Sequence, residues 1–254
     1  GAVHEAIAGR EPVGLLLSAG YDSRAILASL LNLGHQPCTI TWNLPNPASE
    51  LKIARRLARF SQGQHFEASP WGEGDLHSLA EEFVNNSDGL VNLVRLRAYS
   101  VIRAHREYMK VLLWGEGELI RPPSFPSEYI SPAACHLLDP ENYPKPTIPH
   151  QFFSSDLPWE EAWQEALDLT ARYRTRPLSE RLTLWLLEEG YEKVYGGLQQ
   201  AVSTIMPVEM PFMAKNVTDL LLRSPYSLAK LPSWKPSLKT SARSRRVYYH
   251  IIKA

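Results

Sequence analysis

Six residues, Ser18-Ala19-Gly20-Tyr21-Asp22-Ser23, carry the densest chemistry in this chain of 254 residues. They follow an apolar run over 13–17 and precede a helical apolar pattern at Ile26, Leu27, Leu30, Leu31 and Leu33, for which Gly34 is a stop signal. The segment predicts a buried strand joined to a helix by a short turn of small and polar residues. Backbone N–H groups of such a turn, together with the partial positive charge of the helix N-terminus, make an anion site above the strand end. Asp22 adds a hard oxygen ligand suited to a divalent cation. The spacing is neither that of the phosphate loop ending in Gly-Lys-Ser/Thr nor that of the dinucleotide motif Gly-x-Gly-x-x-Gly. Ser18 is not set in Gly-x-Ser-x-Gly, the signature of a hydrolase nucleophile.

The rest of the chain supplies the scaffold for that turn. Thr39-Ile40-Thr41-Trp42 reads as a second strand, ended by the loop residues Asn43-Leu44-Pro45-Asn46-Pro47. A helix capped by Asn46 or Ser49 follows. Leu51, Ile53, Ala54, Leu57, Ala58 and Phe60 form its apolar face, and Arg55, Arg56 and Arg59 its solvated one. His65-Phe66-Glu67-Ala68 is a short third strand, and helices are expected over 75–85 and 92–108. A fourth strand over 110–114 ends in Gly115-Glu116-Gly117-Glu118, a second Gly-rich turn after a buried strand.

Strands alternating with helices predict an α/β fold, a parallel sheet with helices on both faces. Ligands on such sheets bind outside the carboxyl ends of the strands, where both turns fall. Eight of the 20 prolines lie over 121–149, so a loop or lid is expected there rather than a long helix. Beyond it the pattern is mostly helical, with apolar positions at Trp163, Ala166, Leu167, Leu182, Trp185 and Leu186 and further helices over 192–205 and 216–223. The expected division is an α/β core over 1–120, a Pro-rich loop or lid over 121–150, and a helical extension over 151–254 packing on the core.

Ser18, Gly20, Asp22 and Ser23, with Ala19 in place of a first glycine, resemble the pyrophosphate loop Ser-Gly-Gly-x-Asp-Ser of the ATP pyrophosphatase superfamily. Arg24 stands where a small residue is common. Ser49-Glu50, Ala54-Arg55-Arg56-Leu57-Ala58, and His65 with Glu67 resemble the helix and strand after that loop in the synthase domain of asparagine synthetase. Leu112-Leu113-Trp114-Gly115-Glu116-Gly117 resembles its Leu-Ser-Gly-Glu-Gly segment. The stretch over 201–213, ending Glu209-Met210-Pro211-Phe212-Met213, resembles its Glu-x-x-x-Pro-Phe-Leu-Asp segment, shortened by two residues.

The resemblance implies an adenine nucleotide alpha hydrolase-like fold and an AMP-forming amide synthetase. ATP adenylates a carboxylate, pyrophosphate leaves, and an amine displaces AMP. It implies ATP and Mg²⁺ as cofactors, with nucleotide contacts from Leu16, Ser18, Ala19, Gly20, Tyr21, Asp22, Ser23, Gly115 and Gly117. Glu116 is the implied catalytic residue, orienting or deprotonating the amine. Asp22 and Glu118 are the implied metal ligands, Glu118 standing in for a second Asp that this chain lacks at the family's position. Lys235, Lys239 and Lys253 do not match, by spacing, the Lys that the family places against pyrophosphate. With no glutaminase segment, the amine is expected from solution, from the substrate or from a partner protein. The alternative reading of these departures is a nucleotide-binding relative without turnover, acting as a partner or regulatory subunit.

Lys plus Arg number 27 and Asp plus Glu 27, so no net charge argues for nucleic acid. The basic, aromatic tail (Arg243, Arg245, Arg246, Tyr248, Tyr249) is a single short segment. No apolar run approaches the roughly 18 residues of a membrane span, and the opening residues lack the pattern of a signal peptide. Cys38 and Cys135 form neither a disulfide framework nor a zinc ligand set. The expected location is cytoplasmic. His35 and His65 read as strand-flanking residues, His105 and Arg106 as solvent-facing or packing residues on a helix, and Trp159, Trp163 and Trp185 as core.

Overall fold

The computed structural model describes residues 1–42, 48–68, 76–89, 93–115, 136–141, 159–176, 178–185 and 196–223. In chain order these form α1 (Ala2–Ile7), β1 (Val13–Leu16), α2 (Tyr21–Asn32), β2 (Cys38–Trp42), α3 (Ala48–Ser61), β3 (His65–Ala68), α4 (Leu76–Asn86), α5 (Leu96–His105) and β4 (Val111–Leu113). They continue as α6 (Trp159–Ala171), α7 (Leu178–Trp185), α8 (Gly197–Ser203), β5 (Val208–Glu209) and α9 (Lys215–Arg223). The chain divides into two compact units, one of 1–117, 190–220 and 245–254, the other of 118–189 and 221–244.

Every residue of β1 is buried. A strand without alternation is one covered on both faces, as in the middle of a parallel sheet. β1 pairs in parallel with β2 on one side and β4 on the other, Leu15 lying opposite both Thr39 and Leu113. The sheet has five strands in the order β3-β2-β1-β4-β5, all parallel. The expected α/β class is therefore the observed one.

Leu16, Cys38, Ile40, Leu112 and Trp114 point to one face, where they pack with Phe83 of α4, Ala98, Tyr99 and Ile102 of α5, and Leu198, Ala201 and Val202 of α8. Alternate residues point to the other face. There α2 meets β1, α3 meets β2, and α1 meets α2. Each fully buried Leu or Ile in these layers contributes about 1.5–3 kcal/mol. Cys38 belongs to the first layer, and burial pushes its thiol up to about 11, the behaviour of an inert packing residue.

Two expectations need correction. The α3 face was read as including Ile53 and Phe60, but these side chains are 43% and 63% exposed, while Ala54 and Ala58 make the buried stripe. At 100° per residue, Ile53 and Phe60 lie on the far side of the helix, next to Arg56. β5 was missed altogether, being read as loop. Its strand character comes from β4, whose edge receives it: Leu112 N–H donates to the Pro207 carbonyl at 2.9 Å and Trp114 N–H to the Glu209 carbonyl at 3.0 Å.

His35, His65 and His105 each pack or pair within the fold. His65 Nδ1 lies 2.9 Å from Thr39 Oγ1. Its Nε2 sits 3.5 Å from Glu67 Oε1 but makes no hydrogen bond, since Glu67 receives Arg55 at 2.5 and 2.7 Å. Burial holds the His65 imidazole below its ordinary pKa, outweighing the nearby carboxylate. His105 stacks on Phe66 at 3.9 Å, and His35 pairs with Glu11.

In the second unit, Trp163 of α6 is buried and stacks with His136. Thr170 donates to the Leu137 carbonyl at 2.9 Å. Arg181 of α7 donates to the carbonyls of Leu138, Arg174 and Arg176. The Pro-rich stretches 121–135 and 142–150 lie outside the described residues.

A polar cluster between α4 and α5 gives a test. The Tyr99 hydroxyl donates to Glu82 at 2.6 Å and accepts from Asn86 at 2.9 Å, and Arg103 donates to the same Glu82 oxygen at 2.9 Å. The Tyr99 bond, then Arg103, holds the Glu82 carboxyl below its ordinary range, while burial, then Glu82, pushes the Tyr99 phenol up to about 12. Tyr99→Phe is expected to cost about 1–2 kcal/mol at neutral pH, read as a lowered urea midpoint. A depressed carboxyl contributes stability above its unfolded pKa and loses it as pH falls. The gap between parent and variant therefore narrows as pH drops through the carboxylate range.

Candidate functional site: the turn between the first strand and its helix

The strand order creates the site. From β1 the chain winds outward to β2 and β3, then returns to place β4 on the other side of β1. β1 is followed by β2 on one side and β4 by β5 on the other, so the carboxyl ends of β1 and β4 form the switch point at which sheets of this kind bind ligands. The predicted turn and Gly115 are the residues that follow those two strands.

Leu17, the first residue after β1, is still held by the sheet. Its N–H donates to the Ile40 carbonyl at 2.8 Å, and its carbonyl accepts from the buried Thr41 hydroxyl at 2.7 Å. From Ser18 onward the chain leaves the ladder. Ser18 is exposed, Ala19, Gly20 and Tyr21 are half-buried, and Asp22 and Ser23 are buried.

The turn is tied by its own hydroxyls. Ser23 Oγ accepts the Ser18 N–H at 3.2 Å and lies 3.2 Å from Ser18 Oγ. Its proton reaches the carbonyl of Ser18 at 3.1 Å or of Gly20 at 3.3 Å. Gly20 N–H donates to Ser18 Oγ at 3.0 Å. Both hydroxyls that the sequence offered as phosphate contacts therefore already shape the turn.

Gly20 is the N-cap of α2, in extended conformation, and supplies no side-chain cap. The first-turn N–H groups of a helix have no partner within it. With glycine at the cap no side chain of that residue covers this end of the helix, where the dipole favours an anion.

Gly115 closes the other side. A Cβ built on it would lie 2.8 Å from Ser23 N and 3.1 Å from Asp22 Cβ. The end of β4 thus packs on the backbone of the first turn of α2, and glycine is what allows it. Leu16, buried beneath at the end of β1, completes the group. The structure brings together Leu16, Ser18, Ala19, Gly20, Tyr21, Asp22, Ser23 and Gly115. Glu116, Gly117 and Glu118 lie outside the described residues.

Sequence reasoning gave Arg24 no role in the site. Its guanidinium carbon lies 4.2 Å over the Tyr21 ring, and its Nε donates to the Gly20 carbonyl at 3.2 Å. The i,i+3 spacing on a helix was the available signal. Among the described residues no three His, Cys, Asp or Glu side chains form a metal cluster. A separate cavity of about 600 Å³ lies beside β5, lined by Glu5, Gln199, Glu209, Met210 and Met213 among others, and does not include the turn.

Fold and site together define a class: a parallel α/β domain with a glycine-capped strand–turn–helix at its switch point. Residues 1–235 match the sequence profile of the asparagine synthase family, and the chain belongs to that family, one of ATP-dependent amide synthetases. No curated protein matches the chain in sequence. Solved structures similar to it include one described as a predicted subunit of tRNA methyltransferase from Methanocaldococcus jannaschii. That protein is 17% identical, with a TM-score of 0.28, over 72% of this chain and 91% of that one. No described helix is long and apolar enough to cross a membrane.

The contact at Gly115 yields a direct expectation. In Gly115→Ala the new methyl meets backbone, which must shift, at a cost of about 1–3 kcal/mol. Chemical denaturation should show that loss, and nucleotide affinity should fall because the turn itself is displaced. Gly14→Ala serves as the contrast. Its Cβ would meet the side chain of Met109, a flexible neighbour, and so leaves the turn in place.

Proposed function

We propose that this protein is an ATP-dependent, AMP-forming amide synthetase that adenylates a small carboxylate and passes the acyl group to an amine. The observation that carries this reading is the turn at the β1–β4 switch point, with an uncapped glycine N-cap and Gly115 against Asp22 and Ser23, in a chain of the asparagine synthase family.

In the first half-reaction a substrate carboxylate oxygen attacks the α-phosphorus of ATP, and the α–β bridging oxygen leaves as pyrophosphate. In the second, the amine nitrogen attacks the acyl carbon and AMP departs. The turn of residues 18–23 binds the leaving pyrophosphate through its N–H groups, which act where charge develops. Leu16 and Gly115 line the adenosine side, with Gly117 beyond them. Glu116 orients the amine and accepts its proton.

Mg²⁺ fits the donor set. It binds through one or two carboxylates plus substrate phosphates and water, and the buried Asp22 carboxylate at the turn is a donor of that kind. Glu118 is the second ligand in this proposal. When bound, the ion neutralises phosphate charge. The amine comes from solution, from the substrate itself or from a partner protein. The nucleotide work is assigned to the α/β part over 1–120.

The test is incubation of the purified chain with ATP, Mg²⁺ and panels of carboxylic acids and amines, scored for AMP, pyrophosphate and amide. Acid-dependent formation of AMP and pyrophosphate is expected. Release of ADP and phosphate instead, or no nucleotide binding, overturns the proposal. Nucleotide binding with no turnover across the panel favours a regulatory or partner subunit. Asp22→Ala is expected to lower the rate of pyrophosphate formation by about a hundredfold while leaving the fold intact by circular dichroism.

A further inference from the structure

Arg24 is the cation carried on the anion-binding turn itself. It occupies the fourth position of α2, and long helical side chains lean toward the helix N-terminus, which here is the turn. Two contacts fix it: the Nε bond to the Gly20 carbonyl and the stacking over Tyr21. They use one of its five N–H donors. The side chain is half-buried, and no carboxylate among the described residues pairs with it.

The bond that ties Arg24 to the turn uses one N–H and does not by itself call for a charge. The Gly20 carbonyl already accepts the main-chain N–H of Arg24 at 3.4 Å. Among its own residues, 18–23, the turn carries no positive side chain for an anion as highly charged as pyrophosphate. Its N–H groups are neutral dipoles, its two hydroxyls are engaged with each other and with main-chain groups, and Asp22 adds a negative charge. A planar guanidinium held at the rim matches phosphate oxygens in pairs, which an ammonium does less well.

We propose that Arg24 is a pyrophosphate-binding residue, its terminal NH2 groups taking non-bridging oxygens of the β- and γ-phosphates while Tyr21 keeps the guanidinium in place. This deepens the amide synthetase reading and rests on it. It makes charge neutralisation partly a property of the turn, built in before any metal arrives.

The experiment is calorimetric titration of the full chain, with Mg²⁺ present, by inorganic pyrophosphate and separately by AMP. Parent, Arg24→Gln and Arg24→Lys are compared. Gln keeps a donor for the Gly20 carbonyl without the charge; Lys keeps the charge without the fork. Pyrophosphate affinity is expected to fall about tenfold or more in Arg24→Gln and by about threefold in Arg24→Lys, with AMP affinity unchanged in both. Raising the salt concentration should shrink the difference between parent and Arg24→Gln. Equal pyrophosphate affinity in parent and Arg24→Gln overturns the proposal. A parallel loss of AMP and pyrophosphate affinity also overturns it, because that pattern belongs to a residue that only shapes the turn. A parent that binds neither pyrophosphate nor ATP defeats the underlying functional reading instead, and that result needs no variant to be recognised.

Discussion

The close approach of the β4 end to the first turn of α2 is the constraint on which the site depends. Two backbones meet there with no side chain between them, because position 115 is glycine. Everything nearby follows from that contact. Asp22 and Ser23 are buried beside it, and the Ser23 hydroxyl is turned back toward Ser18 and Gly20. The sheet order makes the contact possible, since β1 and β4 are neighbours although α2, β2, α3, β3, α4 and α5 separate them in sequence. A local turn is thus given its chemistry by a distant segment.

What was legible in the residues was what local patterning determines. The apolar run leading to Leu17 announced a strand covered on both faces, and β3 falls on His65–Ala68 as expected, because short apolar or alternating runs bounded by breakers are strong signals. The turn was legible because hydroxyls, glycine and carboxylate crowd into six positions. β5 was not legible. The three residues between Pro207 and Pro211 are too few to carry a periodicity, and Val208–Glu209 is a strand only because β4 offers it an edge. The exposure of Ile53 and Phe60 was missed for a different reason. The apolar residues of α3 span more of the helix circumference than one sheet face can cover, and composition alone does not say which half is buried.

The site shows the same division. Leu16 and the residues of 18–23 come together as their spacing suggested, since they are contiguous. The joining of Gly115 to them depended on β4 being the neighbour of β1, which alternation of strands and helices allowed but did not dictate. Thr41 and Arg24, which fix the turn from β2 and from α2, carried no motif. Their roles come from hydrogen-bond accounting: each main-chain group that leaves the ladder must find a partner, and nearby side chains provide it.

The two bonds at Leu17 have a consequence for motion. Both of its main-chain groups are satisfied by β2, so the regular ladder ends there abruptly rather than fraying. Amide protons on the strand side report global unfolding, whereas those of the following residues report only local opening. The turn is therefore held by bonds of its own, from Ser18, Gly20 and Ser23, and can open without unzipping the sheet beneath it.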